Sequence, residues 1–376
     1  MKQNINPPLF RLIVNLSIFL VFFLSFSLRS NAQTAEPSKI SVIAYYAGDA
    51  AHVSGYPIEK LTHIIFSFCH LKGNELSVKN LRDTLTIQQL VALKQRNPLL
   101  KVILSLGGWG GCETCSPVFA TGKGRRQFAR SVKQLNNYFK TDGIDLDWEY
   151  PAISGFPGHA FMPNDKHNFT LLTNILRRKL GPTNEISFAA GGFTQFLKES
   201  IEWEKVVKKV DKINLMTYDL VNGNSTITGH HTPLFSTAGQ LESTDNTVRY
   251  LDSIGVPKNK IIIGAAIYGR MFDVEQDANN GLYQKGKFNY GVSYSRLNKD
   301  SLQAEGFNFF WDEIAKAPYG YSATKKQLLT FDDEQSMSLK TKYVLDKQLG
   351  GIMFWQLGDD KQEKGLLEAI YNAIYH

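Results

Sequence analysis

Three carboxylates at two-residue intervals are the residues of this sequence with the clearest chemical meaning. Asp145, Asp147 and Glu149 alternate with apolar residues in the segment 143–149. A β-strand directs alternate side chains to opposite faces, so the three acids share one face. Burial of like charges is costly, and their repulsion separates their pKa values. One carboxyl of such a cluster can therefore stay protonated near neutral pH and serve as a proton donor.

Two other interpretations of these acids remain open from the residues alone. Carboxylates at a strand end can bind Mg²⁺ or Ca²⁺ through their oxygen atoms. They can also lie on a solvated edge of a sheet and carry no chemistry. A catalytic cluster is the hypothesis that the strict alternation favours over both.

The surrounding decapeptide resembles a known family signature. Asp142–Pro151 has the order Asp-x-x-Asp-x-Asp-x-Glu-Tyr-Pro, which is similar to that of the glycoside hydrolase family 18 chitinases. The resemblance implies that Glu149 is the proton donor and that Asp147 holds the substrate's acetamido N–H. It implies that Asp145 shares a proton with Asp147 and that Asp142 has a structural role. The implied activity is retaining, substrate-assisted hydrolysis of chitin with no cofactor and no metal.

A serine- and glycine-rich segment ends the predicted third strand. It reads Ser-Leu-Gly-Gly-Trp from Ser105 to Trp109, and the family has a similar pattern before its catalytic strand. The resemblance implies hydrogen bonds from Ser105 and from Tyr45 of the first strand to the innermost acid. Tyr46 is the competing choice, because a shift of one residue reverses the face of a strand. Tyr45, Ser105, Gly108 and Trp109 are all predicted to belong to the substrate-binding site. A packed turn would also explain Gly108 and Trp109.

A tyrosine and an acid end the predicted sixth strand. Met216, Tyr218 and Asp219 could simply cap a buried strand end. The resemblance implies that Tyr218 is catalytic and donates a hydrogen bond to the acetamide carbonyl. It implies that Asp219 hydrogen-bonds near the bound sugar and Glu149. Met216, on the same side as Tyr218, is predicted to pack against the sugar.

Four further residues are predicted to bind substrate. Tyr268 and Arg270 end the seventh strand, Trp355 ends the eighth, and Phe68 ends the second. An arginine opposite a carboxylate cluster can neutralise it or bind sugar hydroxyls, although a surface position is the alternative. In the family the last tryptophan is the floor under the scissile sugar, whereas core packing would also suit it. The next residue is often Glu in the family and is Gln356 in this chain.

Eight short apolar strands alternate with helical patterns, which predicts an α/β fold of the (β/α)8 TIM-barrel type. The pattern is weakest after the first strand, where Gly55 interrupts it. The predicted strands are Ile40–Tyr46, Thr62–Phe68, Val102–Leu106, Gly143–Glu149, Ile186–Ala190, Ile213–Tyr218, Ile261–Ile267 and Gly351–Trp355. The predicted helices are Thr86–Arg96, Arg126–Phe139, Asn168–Leu180, Ile201–Val210, Thr247–Ile254 and Ser336–Gln348.

One long segment interrupts this alternation. Residues 271–330 are rich in aromatic residues and glycine, too long for a simple loop and too apolar for a disordered linker. We expect a small α+β insertion after the seventh strand. The chitinases that this chain resembles often carry such an insertion, where it raises one wall of the substrate groove.

The N-terminus has the pattern of a signal peptide. A basic start is followed by the apolar run 12–28 and by small residues at 30–32, which predicts removal of residues 1–32 and a catalytic barrel over 33–376. The predicted location is secreted, extracellular or periplasmic, with no membrane association after cleavage. An uncleaved anchor is the alternative. We expect a monomer.

Charge and the remaining candidate ligands narrow the partners. The formal net charge is +7, but lysines and arginines are scattered, so no nucleic-acid partner is predicted. Cys112 and Cys115 could form a local disulfide, and Cys69 is expected to be a buried thiol. His230 and His231 could suggest a metal, but adjacent side chains point apart, so a loop role is favoured.

Two other functions remain alternatives to the chitinase. An endo-β-N-acetylglucosaminidase acting on glycoprotein glycans would use the same chemistry on another substrate. A sugar-binding, lectin-like protein would use the same scaffold without catalysis, and the presence of Glu149 argues against it.

Overall fold

A closed barrel of eight parallel strands forms the body of the protein. The computed structural model describes residues 40–376. The strands lie in the ring order β1-β14-β8-β7-β6-β5-β4-β2, and pairing of β1 with β2 closes the ring. Their bounds are β1 Ser41–Tyr46, β2 His63–Lys72, β4 Lys101–Gly107, β5 Gly143–Asp147, β6 Glu185–Gly191, β7 Lys212–Met216, β8 Ile261–Ala266 and β14 Gly351–Trp355. The predicted TIM-barrel fold is confirmed.

Alternation along each strand divides the core into two parts. On β1, Val42, Ala44 and Tyr46 face outward and pack in the large apolar cluster between strands and helices. Ile43 and Tyr45 face the barrel interior, in a smaller cluster. The interior therefore has room for polar side chains from other strands at its upper level, where the barrel opens.

Helices cover the outside of the barrel and confirm most of the predicted pattern. The described helices are α1 Leu81–Ala92, α2 Cys115–Phe119, α3 Gly122–Phe139, α4 Asp165–Leu180, α5 Thr194–Glu199, α6 Trp203–Val206, α7 Thr244–Ser253, α8 Lys299–Ala304, α9 Glu334–Asp346 and α10 Leu366–Tyr375. Between β1 and β2 stand only two 3₁₀ turns, Val53–Gly55 and Ile58–Lys60, at the place where the sequence pattern is weakest.

The predicted helix Ile201–Val210 is wrong in length, because only Trp203–Val206 is helical. Side chains from other elements bind the carbonyls that follow its last turn. Arg177 donates to the Lys209 carbonyl, and the Lys260 ammonium donates to the carbonyls of Val207 and Val210. These bonds satisfy carbonyls at the end of the segment that have no partner within a helix.

A five-stranded antiparallel sheet with one short helix interrupts the barrel after β8. Its order is β10-β9-β13-β12-β11, and its strands are β9 Tyr268–Val274, β10 Gly286–Ser293, β11 Asn308–Asp312, β12 Ala317–Ser322 and β13 Gln327–Thr330. The sheet begins three residues before the predicted boundary at 271. Tyr268 and Arg270 therefore lie on a strand of the insertion.

Two predicted strands end two residues early, and these ends are where the site lies. β5 stops at Asp147 rather than Glu149, and β7 stops at Met216 rather than Tyr218.

The short strand β3, Glu75–Ser77, adds an antiparallel edge to β2. None of the helices within residues 40–376 is both long and apolar enough to cross a membrane. The predicted signal peptide lies outside the described residues.

Candidate active site

Asp145 is the buried anchor of the carboxylate row. It accepts four hydrogen bonds, from Tyr45 (3.1 Å), Ser105 (2.8 Å), Ser187 (2.6 Å) and Asn214 (3.1 Å). Complete burial raises its pKa, and the hydrogen bonds oppose that rise without cancelling it. The side chain is thereby fixed in one orientation inside the barrel.

Two of these four partners match the residues that the family resemblance implies, and two were missed. Tyr45 faces the barrel interior, whereas the hydroxyl of Tyr46 donates to the Asp49 carbonyl on the outside. Ser187 and Asn214 were missed because each lies in a strand with no motif. One signal was available in the sequence, because Ser187 is a polar residue between apolar neighbours in a strand that is fully buried. In the structure Ser187 lies in register beside Asp145.

Among the described residues, no cation lies within hydrogen-bonding distance of Asp147 or Glu149. Asp147 is buried, and its Oδ1 has no hydrogen-bond partner in the described part of the chain. Burial, then the charges of Glu149 and Asp145, raise the pKa of Asp147 well above its usual value. Glu149 lies in the cleft wall, where removal from bulk water and the charge of Asp219 raise its pKa to about 7. One proton can thus be held near this pair at neutral pH.

Asp219 is held by the insertion. Its Oδ1 accepts hydrogen bonds from the Tyr268 hydroxyl (2.7 Å) and from Arg270 Nε (2.5 Å), and Arg270 Nη2 donates to Oδ2 (2.5 Å). Burial would raise its pKa, but the contacts with His231 and Arg270 outweigh burial and lower it. Within residues 40–376, no hydrogen bond joins Asp219 to Glu149. The predicted hydrogen bonding of Asp219 near Glu149 is therefore replaced by a charge interaction between the two acids. Arg270 forms an ion pair with Asp219.

Aromatic rings form the floor and one rim of the site. Trp355 stacks on Phe68, with centroids 5.5 Å apart and planes 13° apart. Trp109 is 52% exposed and meets the edge of Phe156 at 5.5 Å. Phe156 lies in the loop after β5 and was not predicted. A flat, partly exposed floor and an exposed indole are suited to stacking against sugar rings.

Gly108 belongs to the support of the floor. Its φ of +79° favours glycine, and a Cβ atom there would lie 2.3 Å from the Phe68 ring. Its amide donates to the Asp147 carbonyl (2.9 Å). Glycine at this position therefore lets the loop after β4 approach both Phe68 and the carboxylate strand.

An open cleft of about 1190 Å³ joins these groups. The predicted residues that line it are Phe68, Trp109, Asp147, Glu149, Met216, Tyr218, Asp219, Tyr268, Arg270 and Trp355. Tyr45, Ser105, Gly108 and Asp145 are buried beneath it. Tyr45, Ser105 and Gly108 were predicted to bind substrate. Their buried positions indicate instead that they hold the residues that line the cleft.

The remaining predicted residues have contacts outside the cleft. Asp142 Oδ2 accepts hydrogen bonds from the Val102 amide (2.7 Å) and lies 2.6 Å from Lys94 Nζ, consistent with a structural role. Cys112 and Cys115 form a disulfide in the loop after β4. Cys69 is fully buried as a free thiol.

The adjacent histidines point to different carboxylates. His230 Nε2 lies 3.0 Å from Asp312 Oδ2 of the insertion. His231 Nδ1 lies 3.6 Å from Asp219 Oδ1. The two imidazoles therefore contact separate acids, Asp312 of the insertion and Asp219 of the loop after β7.

Comparison with known proteins identifies the class of protein. Residues 41–360 match the family described as glycosyl hydrolases family 18. The chain belongs to this family, and the carboxylate row of β5 lies at the carboxyl ends of the barrel strands, where TIM-barrel enzymes keep their chemistry.

The individual relatives include named chitinases. Chitinase A1 of Niallia circulans is 36% identical over 301 residues, covering 74% of this chain and 43% of that protein. Chitinase B of Serratia marcescens is 28% identical, covering 83% of this chain and 76% of the relative. The mouse oviduct-specific glycoprotein is 29% identical over 80% of this chain and 43% of its own length. This chain thus spans less than half of two of these three relatives.

A solved structure of similar size has the same fold. It is a glycoside hydrolase family 18 N-acetylglucosaminidase from Paenibacillus barengoltzii, with 34% identity and a TM-score of 0.80. The match covers 89% of this chain and 99% of that one. The name of this neighbour differs from the name chitinase, so the family leaves open how many sugars are released at a time.

Proposed function

We propose that this protein is a chitinase that hydrolyses β-1,4 bonds between N-acetylglucosamine units by substrate-assisted, retaining catalysis. The observation that carries the proposal is the pairing of Glu149, whose pKa is about 7, with Asp147, whose Oδ1 has no partner among the described residues. One group can give a proton, and the other can accept a hydrogen bond from an amide.

The first chemical step forms a ring on the substrate itself. Glu149 donates its proton to the glycosidic oxygen as the bond to the anomeric carbon breaks. The acetamide oxygen of the same sugar attacks that carbon and forms an oxazolinium ion. Asp147 accepts the acetamide N–H, and Tyr218 donates its hydroxyl proton in a hydrogen bond to the acetamide oxygen.

The second step returns the enzyme to its starting state. Glu149, now ionised, takes a proton from a water molecule as that water attacks the anomeric carbon. The bond to the acetamide oxygen breaks, and the sugar is released with its original configuration. The proton that Glu149 gave stays on the leaving sugar, and the proton taken from water restores the protonated Glu149.

The positions of the carboxylates support this mechanism over a protein nucleophile. Asp147 precedes Glu149 by two residues on the same chain segment, so both lie on one side of the sugar. Asp219, across the cleft, is already bound by Arg270 and Tyr268. A retaining enzyme with a carboxylate nucleophile needs its second carboxyl on the opposite face of the ring.

The test is hydrolysis of a chitin hexasaccharide with chromatography of the products and NMR of their anomers at early times. The proposal predicts β-anomers that later mutarotate, and it predicts cleavage within the chain. Initial α-anomers would refute retention. An absence of cleavage with intact binding would move support to the glycan-specific or lectin-like alternative.

A second candidate is an N-acetylglucosaminidase that removes single sugars from chain ends. The similar structure from Paenibacillus barengoltzii is named an N-acetylglucosaminidase, which supports this candidate. The same hexasaccharide experiment separates the two, because a monosaccharide-releasing enzyme yields N-acetylglucosamine from the first time point. A chitinase yields oligosaccharides first.

Secretion is part of the proposal. It is supported by the signal-peptide pattern of residues 1–32 and by the disulfide between Cys112 and Cys115, a bond typical of oxidising compartments. Expression of the full chain with N-terminal sequencing of the exported protein tests it, and the expected first residue is Gln33.

A further inference from the structure

Asp359 is a carboxylate of the cleft that the proposed mechanism does not use. It lies four residues after Trp355, in the loop that follows β14, and it lines the cleft together with Ser293 of the insertion. The Ser293 hydroxyl donates a hydrogen bond to Asp359 Oδ1 at 2.5 Å. One side of the carboxylate is thus fixed by the insertion, while the residue as a whole remains partly exposed.

No protein cation neutralises Asp359 in the described chain. Arg270 is the one lysine or arginine among the described residues of the cleft lining, and it is bound to Asp219. Lys361, two residues beyond Asp359, lies over the ring of Tyr294 at 4.8 Å instead. Asp359 therefore presents negative charge and free acceptor oxygens to whatever occupies its part of the cleft.

The ring order of the strands indicates which sugars of a bound chain would lie near Asp359. Glu149 follows β5, and Trp355 ends β14, four places away in a ring of eight and hence diametrically opposite. Glu149 protonates the oxygen of the leaving group, so the leaving sugars lie on its side, with Trp109 and Phe156. The sugars on the non-reducing side then extend past Trp355 toward Asp359.

We propose that Asp359 binds the sugar next to the reacting one on the non-reducing side and favours glucosamine there over N-acetylglucosamine. The ammonium group of a deacetylated sugar complements an unpaired carboxylate, whereas an acetamido group offers one neutral donor. The preferred substrate class is then partly deacetylated chitin. The reacting sugar itself must keep its acetyl group, so this inference rests on the proposed function.

The test uses two fluorogenic disaccharide glycosides that differ only in the distal sugar. Both have N-acetylglucosamine bonded to the reporter, and the distal sugar is glucosamine in one and N-acetylglucosamine in the other. We expect wild type to favour the glucosamine substrate in kcat/KM. We expect Asp359→Asn to lower that preference about fivefold, the upper range for a partly exposed ion pair, with less than about twofold change on the acetylated substrate.

Two matched variants separate charge from structure. Ser293→Ala keeps the carboxylate and should retain the preference. Glu363→Gln removes an exposed carboxylate from the same loop, outside the cleft lining, and should change neither rate. Added salt should lower the preference in wild type but not in Asp359→Asn, because salt screens exposed charges.

Each other outcome counts against the inference. An unchanged preference in Asp359→Asn, or equal loss on both substrates, would overturn the role of Asp359 while leaving the hydrolase intact. Release of the distal sugar alone would show that the cleft ends at the reacting sugar and would overturn it as well. If wild type cleaves neither glycoside nor the chitin hexasaccharide, the proposed function fails together with it.

Discussion

Carboxylates that are largely removed from bulk water lie at both ends of the same barrel, and their surroundings differ. At the amino-terminal end, Glu185 is 2.9 Å from Lys101, 3.1 Å from His63 and 3.4 Å from Lys212. Burial would raise its pKa, but its contacts with His63 and the two lysines outweigh burial and lower it. At the carboxyl-terminal end, no described lysine, arginine or histidine pairs with Glu149, and its pKa rises to about 7.

The comparison shows that the partners of a carboxyl group, more than its burial, decide what it can do. Glu185 is kept ionised and joins strands β2, β4, β6 and β7 at the closed end of the barrel. Glu149 can hold a proton near neutral pH, and Asp147 Oδ1 has no hydrogen-bond partner among the described residues. Both are therefore available to a substrate. The barrel thus separates a stabilising acid from reactive ones by placing lysines beside Glu185, while the cation of the open end, Arg270, is bound to Asp219.

The largest expected effect is on turnover at the open end. Glu149→Gln should lower kcat by about 10²–10⁴-fold, the usual contribution of a general acid, while binding of a chitin oligosaccharide is retained. Steady-state kinetics and calorimetric binding measure the two effects. Near-wild-type turnover would remove Glu149 from the role of proton donor.

Asp147→Asn should have the next largest effect. The neutral amide oxygen of Asn accepts the acetamide N–H more weakly than a carboxylate does, so we expect kcat to fall by about 10²–10³-fold. The thermal unfolding midpoint should stay equal or rise, because a buried acid without a cation is costly. A loss of stability with unchanged kcat would show that Asp147 belongs with Glu185 as a structural acid.

Glu185→Gln should show the opposite pattern. It leaves Lys101, Lys212 and His63 without their shared carboxylate, and we expect a loss of about 2 kcal/mol in the free energy of unfolding. The kcat of the folded enzyme should change less than about twofold, because surface and structural substitutions away from the site leave chemistry intact. Denaturant unfolding and kinetics on the same preparation test both statements, and a large kcat loss without destabilisation would contradict them.

The smallest expected effect is on the pH dependence of the free energy of unfolding, which should differ between Glu149 and Glu185. The usual Glu pKa is 4.5, and the folded value of Glu149 is about 7, so the native state holds more protons in that window. Its contribution to stability therefore falls as pH rises from about 4.5 to about 7. Glu185, with a lowered pKa, stabilises above its usual pKa and loses that contribution as pH falls.

The measurement is the free energy of unfolding across pH for wild type, Glu149→Gln and Glu185→Gln. The difference between wild type and Glu149→Gln should change between about pH 4.5 and 7. The difference between wild type and Glu185→Gln should shrink on acidification below about pH 4.5. Parallel curves for all three proteins would show that neither pKa is shifted by folding.

The sequence predicts the barrel and the carboxylate row well because both depend on local periodicity. Alternation placed Asp145 and Asp147 on one face, and it left Tyr45 and Tyr46 as competing partners that only the fold could separate. Ser187 and Asn214 were missed, since nothing in their own strands shows that they converge on Asp145.

Contacts between distant segments account for the other differences. The ion pair of Arg270 with Asp219 joins the loop after β7 to the insertion, and no local pattern specifies that pairing. Arg177 and Lys260, from other elements, bind carbonyls that follow the short helix Trp203–Val206. In both cases the contact is made by a side chain remote in sequence.

The most direct test of substrate-assisted catalysis is the dependence of the rate on the acetyl group of the reacting sugar. Two fluorogenic disaccharide glycosides would be compared that differ only at that sugar, N-acetylglucosamine in one and glucosamine in the other. If catalysis is substrate-assisted, loss of the acetamide nucleophile lowers kcat/KM by about 10³-fold or more. Comparable rates for the two glycosides would contradict it.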